Sequence, residues 1–257
     1  MTSLQIFALI VSGVFVGFIN TLAGGGTIIS LSLFMFMGLP ADVANGTNRI
    51  AVILQNLTSV TTFRQQKLLD TRKAWWLAIP TTIGSIVGAQ LSVEIDEATF
   101  RKAIGLVMIM MVFFILTKPN KWLKGQERLQ LKKISWVQIL IFFGIGVYGG
   151  FVQVGVGYFL LAAIVLGAGY DLVKANAIKV FIVLIYTIFA LGVFILNDKV
   201  NWQFGLIHAI GNIIGAFVAS RYANAWGANF IRWFIIVIII ISSADLFGII
   251  DIRALFY

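Results

Sequence analysis

The sequence predicts an all-α, polytopic transmembrane protein of two inverted repeats, five elements each, with short broken or re-entrant helices at two glycine-rich breaks. Three observations carry that expectation. The 257 residues are 60% hydrophobic and 11% charged, with a mean hydropathy of +0.98, whereas a soluble domain is about a quarter charged. Residues 4–41, 74–93, 134–170, 180–197 and 200–220 carry no charge, and a spanning helix needs about 20 mostly apolar residues. Finally, Ala23-Gly24-Gly25-Gly26-Thr27 and Val154-Gly155-Val156-Gly157-Tyr158 interrupt this uncharged sequence about half a chain apart.

Ten hydrophobic elements follow in order. The first, 4–22, is expected to be a retained helix rather than a cleaved leader. Met1-Thr2-Ser3-Leu4-Gln5 lacks a basic start, and the stretch behind it shows no clear small-residue cleavage site. The second, 27–38, follows the first break and measures only about 18 Å as a helix. Elements one and two therefore form a hairpin that either re-enters or crosses obliquely. Non-helical backbone at that depth needs protein or a water-filled cavity around it. The third element, 44–63, opens on Ala44-Asn45-Gly46-Thr47-Asn48-Arg49 and carries Gln55 and Asn56 further along. The fourth, 74–93, contains Pro80, a candidate bend, and the fifth is 99–117. Elements 135–153 and 157–169 repeat the hairpin around the second break. The eighth, 175–196, opens on Ala175-Asn176-Ala177-Ile178-Lys179, and 203–221 and 229–249 complete the set. The organisation is thus a first repeat at 1–117, a basic cytoplasmic linker at 118–134, and a second repeat at 135–257.

At an offset of 131 residues Gly24, Gly26, Gly38, Ala44, Asn45, Val52 and Phe63 meet Gly155, Gly157, Gly169, Ala175, Asn176, Val183 and Phe194. Gly84 and Gly88 meet Gly211 and Gly215 at a slightly smaller offset. Glycines and an asparagine are not hydrophobic filler, so the pattern points to duplication, the alternative being coincidence between small-residue helix faces. Five elements per half is an odd number, which inverts the second half. The net charge of +9 gathers at 64–73 and 118–133. Basic loops mark the cytoplasmic side, so this charge reports orientation rather than a nucleic-acid partner. The loop with Glu94, Asp96 and Glu97 then lies outside, as do both termini. Trp75, Trp76, Trp136, Trp202 and Trp226 fall at predicted helix ends, where interfacial rings belong. The bilayer is the expected partner, and the sequence does not choose between a monomer and a homodimer.

Polar groups inside a membrane are costly and mark function. Asn45, Asn48 and Arg49 share one helix face, as do Asn176 and Lys179, and each half thereby offers a carboxamide and a cation beside a glycine break. A helix N-terminus carries unsatisfied N–H groups and about half a positive charge, so it attracts anions, and glycine lets the backbone approach closely. The expected site is a small anion held by Gly24, Gly25, Gly26 and Thr27 from one half and Gly155, Gly157 and Tyr158 from the other. Asn45, Asn48 and Asn176 would orient it, Gln153 and Asn20 would line its path (Asn20 could equally cap the first break), and Arg49 and Lys179 would supply charge at the site or its entrance. The competing readings are tight packing for the glycines, snorkelling for the two cations, a helix–helix hydrogen bond for Asn48, and a satisfied core histidine for His208.

Absences narrow the chemistry. There is no cysteine, which removes thiolate metal sites and thiol catalysis. No carboxylate lies in the middle of elements one to nine, and there is no HExxH or Walker motif. A cation carrier, an ATP-driven pump and an enzyme are therefore disfavoured, and no cofactor or metal is expected. Gly24-Gly25-Gly26-Thr27, Gly38-Leu39-Pro40 and Ala44-Asn45-Gly46-Thr47-Asn48-Arg49 together resemble the sulfite exporter TauE/SafE family of bacterial membrane proteins. The second half carries Gly155-Val156-Gly157-Tyr158 in place of the fuller glycine pattern. The resemblance implies export of sulfite or organosulfonates such as sulfoacetate across the bacterial inner membrane. An anion channel, or a permease for another small anion, is the alternative.

Overall fold

The computed structural model describes residues 1–94 and 134–246. The expected element at 99–117, nearly all of the 118–134 linker and the end of the element at 229–249 lie outside the described residues. All regular structure among the described residues is helical: α1 (Ser3–Leu22), α2 (Thr27–Phe36), α3 (Ala41–Gln65), α4 (Thr71–Glu94), α5 (Trp136–Phe151), α6 (Val156–Ala162, running on as a π-helical turn over Ala163–Gly167), α7 (Leu172–Leu196) and α8 (Trp202–Leu246).

Local chemistry sets the helix starts. α1 and α5 open on the same capping box. Thr2 Oγ1 accepts from Gln5 N at 3.2 Å while Gln5 Oε1 accepts from Thr2 N at 2.8 Å. Ser135 and Gln138 do the same at 3.2 and 3.0 Å, pairing two N–H groups that a helix start otherwise leaves unbonded. Asp171 caps α7 by accepting from Val173 N and Lys174 N. α1 ends where Gly24 takes φ +96°, and α6 begins after Gly155 at φ +71°, a region open to glycine at little cost.

Among the described residues, four segments are long and apolar enough to span a membrane: Ser3–Leu22, Thr71–Glu94, Leu172–Leu196 and Trp202–Trp226. α2, α5, and α6 with its π-turn are shorter apolar helices. The expected separation of elements 203–221 and 229–249 is not found, because α8 runs unbroken from Trp202 to Leu246. No proline lies between 222 and 228, and Ala223, Ala225 and Ala228 favour helix there. α4 likewise continues through Pro80.

α1 packs along α8 and α4 along α5, while α3 lies against both α7 and α8, and α4 also against α7. Small residues set these approaches. A Cβ on Gly13 would meet the backbone of Gly211 and Asn212, one on Gly211 that of Ile10 and Val14, one on Gly84 that of Phe143 and Val147, and one on Gly146 that of Thr81. In lipid, where no hydrophobic drive pulls helices together, such close backbone contact is what holds them. The opposite faces are apolar and exposed at helical spacing: Leu4, Phe7, Val11 and Phe15 on α1, and Leu206, Ile210, Ile214 and Phe217 on α8. Those stripes suit acyl chains. Trp75, Trp76, Trp136 and Trp202 are exposed near helix starts, whereas Trp226 falls within α8.

α3 is the exception that positions the site. It is as long as any span, yet it buries Asn45, Thr47, Asn48, Arg49, Gln55, Asn56, Ser59 and Thr62. A helix that polar is stable at membrane depth only when protein surrounds it.

Candidate binding cavity at the meeting of two helix breaks

The two breaks touch. A Cβ on Gly157 would lie 2.6 Å from Gly24 Cα and 3.0 Å from the Ala23 carbonyl oxygen, and a Cβ on Gly24 would collide with the Gly157 backbone in return. Two main chains this close leave no room for side chains, which explains glycine at both positions. Beside the contact lies a small, partly open cavity, lined by Asn20, Gly24 and Thr27 from the first break, Val52, Gln55 and Asn56 from α3, Gln153, Val156 and Gly157 from the second break, and Lys179 and Val183 from α7. Lys179 is the one charged residue lining it, among the described residues.

Lys179 reaches across the molecule. From α7 its Nζ donates to the carbonyl oxygens of Asn20 at 2.9 Å and Thr21 at 2.8 Å, the last turn of α1. Arg49, on α3, makes the counterpart contact: NH1 donates to Gly149 O at 3.3 Å and NH2 to Gly150 O at 2.5 Å, at the end of α5. A helix end leaves carbonyls unpaired and carries about half a negative charge, so each cation sits where a broken helix needs one. Arg49 is fully buried and its guanidinium lies 4.6 Å from the Phe194 ring centroid. It closes the end of α5 and does not line the cavity. Replacing it with methionine strips two buried carbonyls of their donor, at about 1–3 kcal/mol each. The expected result is a lower melting temperature in detergent with unchanged anion affinity in the folded fraction, read by thermal unfolding and by binding on the same preparation.

Of the residues expected at the site, Gly24, Thr27, Gln153, Gly157 and Lys179 come together at the cavity, while Gly25, Gly26, Asn45, Asn48, Arg49, Gly155, Tyr158 and Asn176 do not line it. Gly25 abuts the Tyr158 hydroxyl, and Gly26 packs on Val16 and Asn20. Asn45 Nδ2 donates to Phe151 O at 2.8 Å and to Ser92 Oγ at 3.1 Å. Asn48 Nδ2 donates to Gln153 Oε1 at 3.4 Å, and Gln153 Nε2 donates on to Thr187 Oγ1 at 2.9 Å. Gly155 supplies the left-handed turn before α6. Asn176 is fully buried, and neither amide atom has a protein partner. His208 is held on both nitrogens, 2.8 Å from Ser30 Oγ and 2.8 Å from Leu9 O, as a structural histidine would be.

Asn20, one of the two residues expected to line the path, is joined at the cavity by Val52, Gln55, Asn56, Val156 and Val183, which do not stand in the expected set. The usable signal was the stripe Asn48, Val52, Gln55 on α3, one turn apart, extended by Ser59. Asn20 Nδ2 donates to Thr27 Oγ1 at 3.3 Å, which leaves the threonine proton free to point at a ligand. Asn20 Oδ1 and Gln55 Oε1 are buried without a partner. A buried polar atom left unpaired in the protein is an opening for a ligand or water to fill.

A wall of amides, a hydroxyl, glycine backbone and one ammonium, with no carboxylate among the described lining residues, favours a small negative solute. The comparisons with known proteins give the family. Residues 9–246 match the family described as Sulfite exporter TauE/SafE. A "Probable membrane transporter protein" of Haemophilus influenzae is 25% identical, with 91% of each chain covered. One called ORF9 from Sinorhizobium sp is 26% identical over 90% of this chain and 87% of its own. The "Probable membrane transporter protein YfcA" of Escherichia coli K12 is 28% identical over 90% of this chain and 85% of its own. No solved structure matches. With nearly its whole length matched, this chain is a membrane transporter belonging to the sulfite exporter TauE/SafE family.

Proposed function

We propose that the chain is a secondary transporter that exports a small sulfur-containing anion, sulfite or an organosulfonate, across the bacterial inner membrane. The observation that carries the reading is the cavity beside the Gly24–Gly157 contact, with Lys179 as its only charge among the described residues. Thr27 opens α2, so a helix N-terminus faces the ligand. Outward movement of an anion from a negative cell gains about 2.3 kcal/mol per charge per 100 mV, so export needs no coupled ion.

The halves at 1–117 and 135–257 act as inverted repeats in this reading. Support comes from helix pairing that is reciprocal between halves: α1 on α8 is answered by α5 on α4, and Lys179 on the end of α1 by Arg49 on the end of α5. Rocking of one half against the other would expose the shared site alternately. Basic loops on the cytoplasmic side set the orientation, and a homodimer is compatible with the exposed apolar faces.

Efflux of labelled sulfite, sulfoacetate, sulfate and chloride from liposomes holding the purified protein tests the proposal. Saturable flux of a sulfur anion above protein-free liposomes is expected. Chloride passing equally well without saturation would mark an anion channel, and absence of all anion flux would overturn the reading.

A further inference from the structure

We propose that two latches, one at each end of the helix pair α3 and α7, gate the cavity from opposite sides of the membrane: Asp42–Lys199 on the outer side and Asp70–Tyr170 on the cytoplasmic side. Their role rests on the transport reading above and names the contacts that alternating exposure breaks in turn.

The helix pair sets the arrangement. At the start of α3, a Cβ on Gly46 would collide with the Lys199 carbonyl oxygen and with Phe194, near the end of α7. Beside it Thr47 Oγ1 accepts from Asn201 N at 2.8 Å. The end of α3 leads to Asp70, which meets Tyr170 just before α7 begins. α3 and α7 therefore run antiparallel. Val52, Gln55 and Asn56 on one, and Lys179 and Val183 on the other, line the cavity between the two ends.

At each end a carboxylate of the first half meets a donor of the second, and the chemistry is parallel. Asp42 accepts from Val43 N through Oδ1 at 2.8 Å and pairs with Lys199 Nζ through Oδ2 at 2.8 Å. Asp70 accepts from Lys73 N through Oδ1 at 3.0 Å and from the Tyr170 hydroxyl through Oδ2. One oxygen of each carboxylate serves its own helix start, and the other reaches across the halves. The turns also match at the offset of 131, which sets Asp70 on Asn201; Asn201 Oδ1 accepts from Phe204 N at 3.2 Å, as Asp70 does from Lys73 N. The Lys199 and Asp42 side chains are 35% and 30% exposed, and a solvated pair of this kind is weak and reversible, as a contact remade in every cycle must be. In the orientation proposed above the 64–73 loop is cytoplasmic, which puts Asp70–Tyr170 inside and Asp42–Lys199 outside.

The chain has no cysteine, so Val183→Cys, at a buried lining position, gives the full-length protein a single thiol. Its labelling by a membrane-impermeant, cationic methanethiosulfonate is timed from outside in spheroplasts and from the cytoplasmic side in inverted vesicles. Lys199→Met in this background is expected to speed labelling from outside by up to about fivefold, with no gain from the cytoplasmic side. Tyr170→Phe is expected to speed it from the cytoplasmic side by about tenfold, with no gain from outside. Exchanging the charges, Asp42→Lys with Lys199→Asp, is expected to return the outside rate to that of the parent. A merely loosened fold speeds both sides alike. Equal gains on both sides, no change in either variant, or the opposite sidedness overturns the latches. Labelling needs no substrate, so the two readings fail separately: efflux of a sulfur anion from liposomes alongside unchanged labelling leaves the transport reading standing without its latches, and absence of all efflux overturns both.

Discussion

Lys179→Met cuts anion flux by about ten- to a hundredfold, because a hydrogen bond to a charged group contributes about 1.5–3 kcal/mol and each 1.4 kcal/mol is about tenfold. Methionine keeps much of the apolar stem, so the loss is the ammonium itself. That ammonium has two jobs. It faces the cavity, and it donates to the Asn20 and Thr21 carbonyls at the end of α1. The substitution therefore lowers stability as well as flux, and flux must be normalised to folded protein measured by size-exclusion chromatography. Lys179→Arg separates the two roles: it keeps charge and donors, so flux should recover in part. Equal flux in Lys179→Met and wild type, per folded molecule, would remove Lys179 from the site.

Gly24→Ala is expected to be strongly destabilising, because it combines a left-handed backbone with a backbone collision. Gly24 and Gly38 share φ +96°, a conformation that costs an L side chain about 1–2 kcal/mol. They differ in what a Cβ would meet. At Gly38 nothing lies within 4 Å, whereas at Gly24 the Gly157 main chain blocks the position. Backbone cannot swing aside as a flexible side chain can, and forced overpacking adds about 1–3 kcal/mol. Gly38→Ala thus isolates the conformational cost, and Gly24→Ala adds the collision of the two breaks. Melting temperatures of the two variants in detergent should differ clearly, with Gly24→Ala lower. Similar values would mean that the breaks do not meet as described.

Much of the helix layout was legible because its signals are local. Uncharged runs, the Gly24–Gly26 and Gly155–Gly157 interruptions and the turn at Gly38-Leu39-Pro40 all act within a few residues, and the helices begin and end close to them. The join between Trp202 and Leu246 was not legible, since weak polarity around Asn224 and Gly227 reads as a loop when neighbouring helix preference is not weighed. The site depended on distance contacts that no spacing encodes. Matching the halves at an offset of 131 sets Lys179 opposite Asn48, yet in space Arg49 makes the equivalent contact, one residue later. The cations looked like ligand charges because each stands beside a glycine break, but the carbonyls that receive them belong to the other half of the chain. Gln55 and Asn56 stood out as polar residues in an apolar helix, and only the packing of α3 against α7 turns that stripe toward a cavity.

The central claim is that an anion rests between the two breaks beside Lys179. Crystals grown with bromomethanesulfonate, a monoanion whose bromine scatters anomalously, test it most directly. The account predicts an anomalous peak in the cavity formed by Asn20, Thr27, Gln55 and Gln153, with the sulfonate within hydrogen-bond reach of Lys179 Nζ. A protein that transports this anion yet shows the peak elsewhere, with the cavity empty, would contradict it.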